Sequence, residues 1–298
     1  MKRRLEEVRG QRDFFRPSTR RDRLQHHPVQ TLVATAFSRA KRFTNGKICA
    51  RVRARTFWGD VMHVLLPEGS PIYYWGLIDG EEFNLTCFMV DRLGIGQTVI
   101  DVGAHFGYYT LLASALVGET GGVHAFEPTP RTFSILAANT SGRQGAIVHQ
   151  KAMWKAEQTL MLVDFGPQAG AFNTLLSRQE DARRNILERY GRTASVLPVE
   201  ATTLDAYCRE RGVRPSFIKI DAEGAEYQIV LGATTVLRCQ PVLSVEIWGR
   251  EGRLNNAERI MGLLRDFSYE PCSLRQGRLT AYRFDPERDF VNVVFGPR

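Results

Sequence analysis

Strand and helix patterns alternate along most of the chain after Gly96, and this alternation constrains the fold more than any other feature of the sequence. The apolar run Val99–Val102 predicts a buried strand, and a short glycine loop and a helix at Tyr108–Val117 follow it. Further strands are predicted at 123–126, 146–149, 217–221 and 242–247, and further helices at 131–139, 204–211, 225–237 and 256–267. Repeated strand–helix units predict an α/β protein with a doubly wound, mostly parallel sheet that binds its ligand at the carboxyl ends of the strands.

The loop "GAHFG" joins the first of these strands to its helix. The dinucleotide fingerprint G-x-G-x-x-G does not fit, because with Gly103 as the middle glycine the other two positions hold Asp101 and Phe106. The loop has instead the form D-x-G-x-x-x-G, ending at Gly107. This form suits S-adenosylmethionine, which has no phosphate to be bound by a dense glycine turn, and Gly103 and Ala104 would let the backbone approach it closely.

Two acidic residues are predicted to complete this cofactor site. Glu127 ends the second strand, 24 residues after Gly103, where a carboxylate can accept both hydroxyls of a ribose. NAD proteins share that feature, so Glu127 predicts an adenosine-type ligand without distinguishing NAD from S-adenosylmethionine. Asp101 favours S-adenosylmethionine, because it offers a carboxylate to a cationic ligand.

The first 45 residues carry the whole excess of positive charge. They hold 12 of the 40 Lys and Arg residues and 4 of the 32 Asp and Glu residues, and the rest of the chain is balanced. We predict that residues 1–45 form a basic, solvated extension, partly disordered or helical, with contact to nucleic acid, acidic polysaccharide or anionic lipid as the alternative. Residues 46–96 are predicted to form a β-hairpin element, with its turn at Pro67–Pro71, and a helix packed on the core. Residues 97–298 then form the cofactor-binding domain.

Cysteine spacing and hydropathy exclude several other classes of protein. The five cysteines lie far apart with no C-x-x-C pair, so neither a disulfide framework nor a zinc site is predicted. No window approaches the roughly 18 apolar residues that a membrane span needs. We therefore expect a cytoplasmic protein without a membrane span.

Five segments together resemble the FkbM-type methyltransferases: "VIDVGAHFGYYTLLASALVG", "GGVHAFEPTPRTFSILAAN", "TLDAYC", "FIKIDAEGAEYQIVLGA" and "PVLSVE". The resemblance covers about residues 61 to 248. It implies a class I methyltransferase fold with a Rossmann-like sheet and an antiparallel C-terminal strand. It also implies S-adenosylmethionine as co-substrate and methylation of hydroxyl groups on sugars, polyketides and related small molecules.

The chain departs from the family pattern at two positions. His105 occupies a loop position where the family usually has Asn, and Lys155 stands where an acidic residue commonly follows the third strand. Adenine would then be held by backbone near Ala152 or by stacking on Met153 or Trp154. His105 is predicted either to accept a proton during catalysis or to fill space with a hydrogen bond to the backbone.

A second group of candidate residues lies in "FIKIDAEGAE" and at the end of the next strand. Asp221, Glu223 and Glu246 are predicted to meet beside the transferred methyl group, because their strands are neighbours in such a sheet. Asp221 is read as the base or anchor for the acceptor hydroxyl, with a divalent-metal site or a purely structural role as alternatives. Glu226 is expected to be structural, and Lys219 to pair with a carboxylate.

The sequence therefore predicts an S-adenosylmethionine-dependent O-methyltransferase acting on a small molecule or glycan. N-methylation, methylation of RNA ribose guided by the basic arm, and a non-catalytic adenosine-ligand binding module remain alternatives. The long segment from Asp164 to Ser195 is predicted to be either a lid over the acceptor or a surface insertion.

Overall fold

The computed structural model describes residues 1–10, 13–43, 49–166, 174–176, 195–248, 254–282 and 290–297. The elements before the main sheet are α1 (Lys2–Arg9), α2 (Arg20–His26), α3 (Pro28–Phe43), β1 (Ala50–Arg55), β2 (Val61–Leu66), α4 (Ser70–Trp75) and α5 (Glu81–Arg92). Strands β1 and β2 form an antiparallel hairpin. The Pro67–Pro71 segment does not join two strands as expected, because the chain after Pro67 winds into α4, with Pro71 in its first turn.

The N-terminal segment packs onto the rest of the protein instead of only extending into solvent. Leu5 and Phe14 are buried, and the Phe14 ring meets the edge of Trp75 at a centroid distance of 5.5 Å. The Arg4 guanidinium donates a hydrogen bond to the backbone oxygen of Trp58. Apolar side chains in this basic segment thus anchor it to the core.

The main sheet and its helices occupy most of the remaining chain. Its first half contains β3 (Thr98–Val102), α6 (Tyr108–Val117), β4 (Gly122–Phe126), α7 (Pro130–Thr140) and β5 (Ala146–His149). A smaller sheet follows, with β6 (Ala152–Met153), β7 (Gln158–Asp164), β8 (Thr174–Leu176) and β9 (Ser195–Thr202). The second half adds α8 (Leu204–Arg211), β10 (Phe217–Ile220), α9 (Glu226–Leu231), α10 (Thr234–Arg238), β11 (Val242–Trp248), α11 (Leu254–Asp266), β12 (Tyr269–Arg275), β13 (Arg278–Ala281) and β14 (Phe290–Pro297).

The eight strands of the main sheet are ordered β13-β12-β14-β11-β10-β3-β4-β5. The five from β11 to β5 are parallel, and β14 pairs with β11 in the antiparallel sense. This arrangement confirms the predicted class I methyltransferase fold, with its mostly parallel sheet, antiparallel C-terminal strand and N-terminal hairpin. The strand order reverses between β3 and β10, so their carboxyl ends open the crevice in which such sheets bind ligands.

Each face of the sheet has its own apolar core, which explains the continuous apolar runs of the central strands. On β3, Val99 packs into the core with α5 and α6, and Ile100 packs into the core with α8 and α9. Residues Phe217 and Ile218 of β10 divide in the same way. Because side chains alternate along a strand, each strand contributes to both cores.

Two predictions of local structure need correction. The single helix expected over 225–237 is two helices, α9 and α10, interrupted around Gly232, where a Cβ atom would overlap the backbone oxygen of Trp154. The polar segment after β5 contributes the smaller sheet, in the order β6-β9-β7-β8, which the sequence pattern did not reveal. Most of the predicted lid at 164–195 lies outside the described residues. Among the helices that are described, none has the length and apolarity to cross a membrane.

Candidate active site

A cavity of about 340 Å³ opens at the carboxyl ends of β3, β4, β10 and β11. This volume lies in the usual range for small-molecule pockets. One end is formed by the loops after β3 and β4 together with β6, and the other by carboxylates after β10, on β11 and on α5. The cavity therefore coincides with the topological switch point of the sheet.

The loop after β3 is shaped by contacts within the protein. Gly103 has a φ of 74°, and a Cβ atom there would overlap the backbone oxygen of Asp221. The N–H groups of Gly103 and Ala104 both donate to the backbone oxygen of Phe126 at 3.0 Å. Gly107 has a φ of 89°, and a Cβ there would lie 2.7 Å from the Leu136 side chain. Glycine is thus required at Gly103 for the close approach of the Asp221 backbone, and at Gly107 it suits the positive φ.

Glu127 is a buried carboxylate that lines the cavity where the sequence predicted a ribose contact. Its Oε2 accepts the backbone N–H of His105 at 3.0 Å, and its Oε1 accepts the N–H of Thr129 at 2.9 Å. Burial raises the pKa of Glu127, against the opposing effects of the nearby His105 charge and these hydrogen bonds. The Thr129 side chain adds a third hydrogen bond to this carboxylate, which leaves acceptor capacity for a ribose hydroxyl.

The predicted adenine region lies beside Glu127. Ala152 and Met153 line the cavity, as do Phe126 and Lys151. Trp154 is buried but is not among the lining residues. The adenine contact near Ala152 and Met153 stays a prediction, and the cavity lining at these residues is apolar.

His105 also lines the cavity, and its ring pairs with a residue that the sequence reasoning did not single out. Its Nε2 lies 3.3 Å from Oε1 of Glu68, which follows β2. Burial would lower the pKa of His105, but the hydrogen bond and charge of Glu68 outweigh this effect and raise it overall. This pairing favours a charged imidazolium that donates hydrogen bonds, and it weakens the case for His105 as a proton acceptor.

A buried lysine connects two of the predicted carboxylates beneath the loop. Lys219 Nζ lies 3.0 Å from Asp221 Oδ2 and 3.6 Å from Asp101 Oδ1. The pKa of Lys219 is raised because the charges of Asp221 and Asp101 outweigh its burial. Thr110 Oγ1 also donates to Asp101, at 2.7 Å. Lys219 thus pairs with carboxylates, as the sequence reasoning expected.

The structure brings eight of the ten predicted site residues into the cavity lining: His105, Gly103, Ala104, Glu127, Ala152, Asp221, Glu223 and Glu246. Asp101 and Gly107 do not line it. Asp101 is almost fully buried and contacts Thr110 and Lys219, so any effect it has on a ligand passes through Lys219. Glu226 accepts the N–H groups of Ala222 and Gly224 and so holds the turn after β10, as expected of a structural residue.

The acidic end of the cavity includes Glu82 of α5, which the sequence analysis did not identify. Oxygens of Glu82, Asp221 and Glu246 all lie within 4.8 Å of one another. Burial and the charge of Asp221 raise the pKa of both Glu82 and Glu246. The first turn of an amphipathic helix commonly carries an acidic residue, so no local signal distinguished Glu82. Its place in the cavity lining follows only from the packing of α5 against the sheet.

Comparison with known proteins gives the family. The sequence-family model of the methyltransferase FkbM domain matches residues 101–271, which is more than half of the chain. The chain belongs to this family. No curated protein sequence matches it.

Several solved structures resemble the chain in part. An rRNA methylase from Streptococcus thermophilus has 11% identity over 74% of this chain and 98% of its own, with a TM-score of 0.42. Fibrillarin from Aeropyrum pernix, solved with natively bound S-adenosyl-L-methionine, has 12% identity over 71% and 73%, with a TM-score of 0.40. Precorrin-6y C5,15-methyltransferase from Geobacter metallireducens GS-15 has 14% identity over 74% and 92%, with a TM-score of 0.39.

Proposed function

We propose that this protein is an S-adenosylmethionine-dependent O-methyltransferase that acts on a hydroxyl group of a sugar, polyketide or other small molecule. The observation that carries the proposal is that one cavity joins the glycine loop and Glu127 to the carboxylates Asp221, Glu223 and Glu246. A methyl donor at the first end would place its reactive group beside an acceptor at the second. The FkbM family assignment supports the same chemistry.

The first end of the cavity fits S-adenosylmethionine in shape and in chemistry. The Glu127 carboxylate has acceptor capacity left for a ribose hydroxyl. Ala152 and Met153 present an apolar surface to the adenine, and the backbone at Gly103 and Ala104 borders the space for the methionine part. When bound, S-adenosylmethionine supplies an electrophilic methyl group carried on a sulfonium ion.

The second end of the cavity suits a hydroxylated acceptor. Asp221, Glu223 and Glu246 offer carboxylate oxygens that accept hydrogen bonds from hydroxyl groups. The net acidic character of this end of the cavity would repel a phosphate-bearing acceptor, which disfavours RNA as the substrate. Methyl transfer to oxygen needs the acceptor to be held in line with the methyl group and its proton to be removed, and this chain supplies both functions from side chains.

Cofactor binding is tested first, by calorimetric titration of the purified protein with S-adenosylhomocysteine and, in parallel, with NADH. Micromolar binding of S-adenosylhomocysteine and none of NADH is expected. Glu127→Gln should weaken binding at least tenfold, because one of the two carboxylate oxygens becomes an NH2 group, which cannot accept a hydrogen bond. The matched control is Glu119→Gln, an exposed carboxylate between α6 and β4, which should leave the affinity unchanged.

Turnover separates an enzyme from a binding module. The protein is incubated with methyl-labelled S-adenosylmethionine and a panel of methyl glycosides, phenols and small polyols, alongside amines and an RNA oligonucleotide. Label on a hydroxyl oxygen supports the proposal. Label on nitrogen or on the RNA would contradict it, and binding without any transfer would favour the non-catalytic alternative. The cytoplasmic location stays a prediction of the sequence.

A further inference from the structure

Glu82 is held in the cavity by residues from distant parts of the chain. The Tyr109 hydroxyl, on α6, donates to Glu82 Oε2 at 2.5 Å, and the Asn292 amide, on β14, donates to Glu82 Oε1 at 3.1 Å. These two hydrogen bonds therefore fix the orientation of the Glu82 carboxylate. Glu82 lies before the matched region 101–271, and Asn292 lies after it. A residue that precedes the family match thus lines the cavity and is held in part by a residue that follows the match.

We propose that Glu82 is the general base that removes the proton from the acceptor hydroxyl. This inference rests on the proposed function and deepens it. As the acceptor oxygen forms its bond to the methyl carbon, its proton passes to the Glu82 carboxylate. The carbon–sulfur bond breaks, and its electron pair stays on sulfur, giving neutral S-adenosylhomocysteine, a methyl ether and a protonated Glu82.

Three other groups that line the cavity are less suited to the role. Asp221 is paired with Lys219 at 3.0 Å, so one of its oxygens already accepts a hydrogen bond from an ammonium group. His105 is paired with Glu68, and its raised pKa favours the charged form. Glu246 is only 5% exposed, and burial together with four surrounding carboxylates raises its pKa well above the ordinary value, which favours the protonated form.

The surroundings of Glu82 also favour proton transfer to its carboxylate. Burial raises its pKa, and the charge of Asp221 raises it further, whereas Lys219, Tyr109 and Asn292 lower it. Glu246 faces it from β11. The net raised pKa makes Glu82 a stronger base than an exposed glutamate, and the two donors keep its carboxylate in position.

The test uses the full-length protein and the acceptor from the panel that wild type methylates. Glu82→Gln keeps the size of the side chain and removes the base, and Glu82→Asp keeps a carboxylate. The matched control is Glu81→Gln, on the same turn of α5 and outside the cavity lining. For each variant kcat is measured from pH 5 to 9, together with the melting temperature and the affinity for S-adenosylhomocysteine.

We expect Glu82→Gln to lower kcat by about 10²- to 10⁴-fold with unchanged cofactor affinity, and to abolish the fall in kcat that wild type shows at acid pH. Glu82→Asp should recover part of the rate, and Glu81→Gln should behave as wild type. Retention of kcat by a folded Glu82→Gln protein would overturn the inference and leave the proposed function intact. A wild type that methylates no acceptor would overturn both. Activity that EDTA abolishes and Mg²⁺ restores would make Glu82 a metal ligand, which also overturns the inference.

Discussion

Replacing Gly103 with alanine should destabilise the protein far more than replacing a glycine with open space around it, such as Gly212. Two costs add at this position. A residue with a side chain at a φ of 74° costs about 1–2 kcal/mol. The new Cβ would also overlap the Asp221 backbone oxygen, so the loop after β3 and the end of β10 must move apart.

This movement would disrupt three backbone hydrogen bonds. Gly103 and Ala104 donate to the Phe126 oxygen at 3.0 Å, and Asp221 donates to the Val102 oxygen at 3.2 Å. At about 0.5–1.5 kcal/mol for each bond, their loss costs roughly 1.5–4.5 kcal/mol. Together with the cost of the positive φ, we expect Gly103→Ala to lower the free energy of unfolding by about 2.5–6.5 kcal/mol.

Two control variants separate these costs. Gly212 has a φ of 64°, and a Cβ atom there would meet no other atom within 4 Å, so Gly212→Ala reports only the backbone cost of about 1–2 kcal/mol. Gly94 has neither a positive φ nor a neighbour within 4 Å, and Gly94→Ala should be neutral or stabilising by up to about 1 kcal/mol. Urea denaturation followed by circular dichroism gives all three values. A Gly103→Ala protein within about 1 kcal/mol of Gly212→Ala would refute the close-approach explanation.

Three further predictions test the charges of the site and of the fold. Lys219→Met should cost about 3–5 kcal/mol in chemical denaturation at pH 7, because Asp101 and Asp221 lose their buried cation, and a loss below about 1 kcal/mol would contradict this. Glu68→Gln should lower the raised pKa of His105 in an NMR titration, and an unchanged value would exclude Glu68 as its cause. Burial lowers the pKa of His149 to about 4, so the unfolded chain binds the extra proton and stability should fall as the pH drops from 6.5 to 4. Because this ring is partly exposed, we expect a loss of about 1–2 kcal/mol, and His149→Gln should show a smaller fall than wild type over the same range.

The sequence by itself determined the parallel sheet and most of the cofactor end of the cavity. Strand β3 and helix α6 lie within one residue of their predicted bounds, because buried strands and glycine-bounded helices have strong local patterns. Glu127 and Asp221 were found because they directly follow strands, and parallel strands end at the same edge of a sheet. These inferences need only the order of elements along the chain.

Only the tertiary structure decided which residues complete the acidic end of the cavity and which way Asp101 faces. Glu82 and Glu68 reach the site because helix α5 and the hairpin pack beside α6 and the main sheet, and no pattern near them in the sequence encodes that contact. Asp101 was expected to meet the ligand, yet its position on β3 turns it toward Lys219. Local patterns report which face of an element is apolar. Which distant polar groups share a cavity depends on how those elements pack, and that is fixed by the whole chain at once.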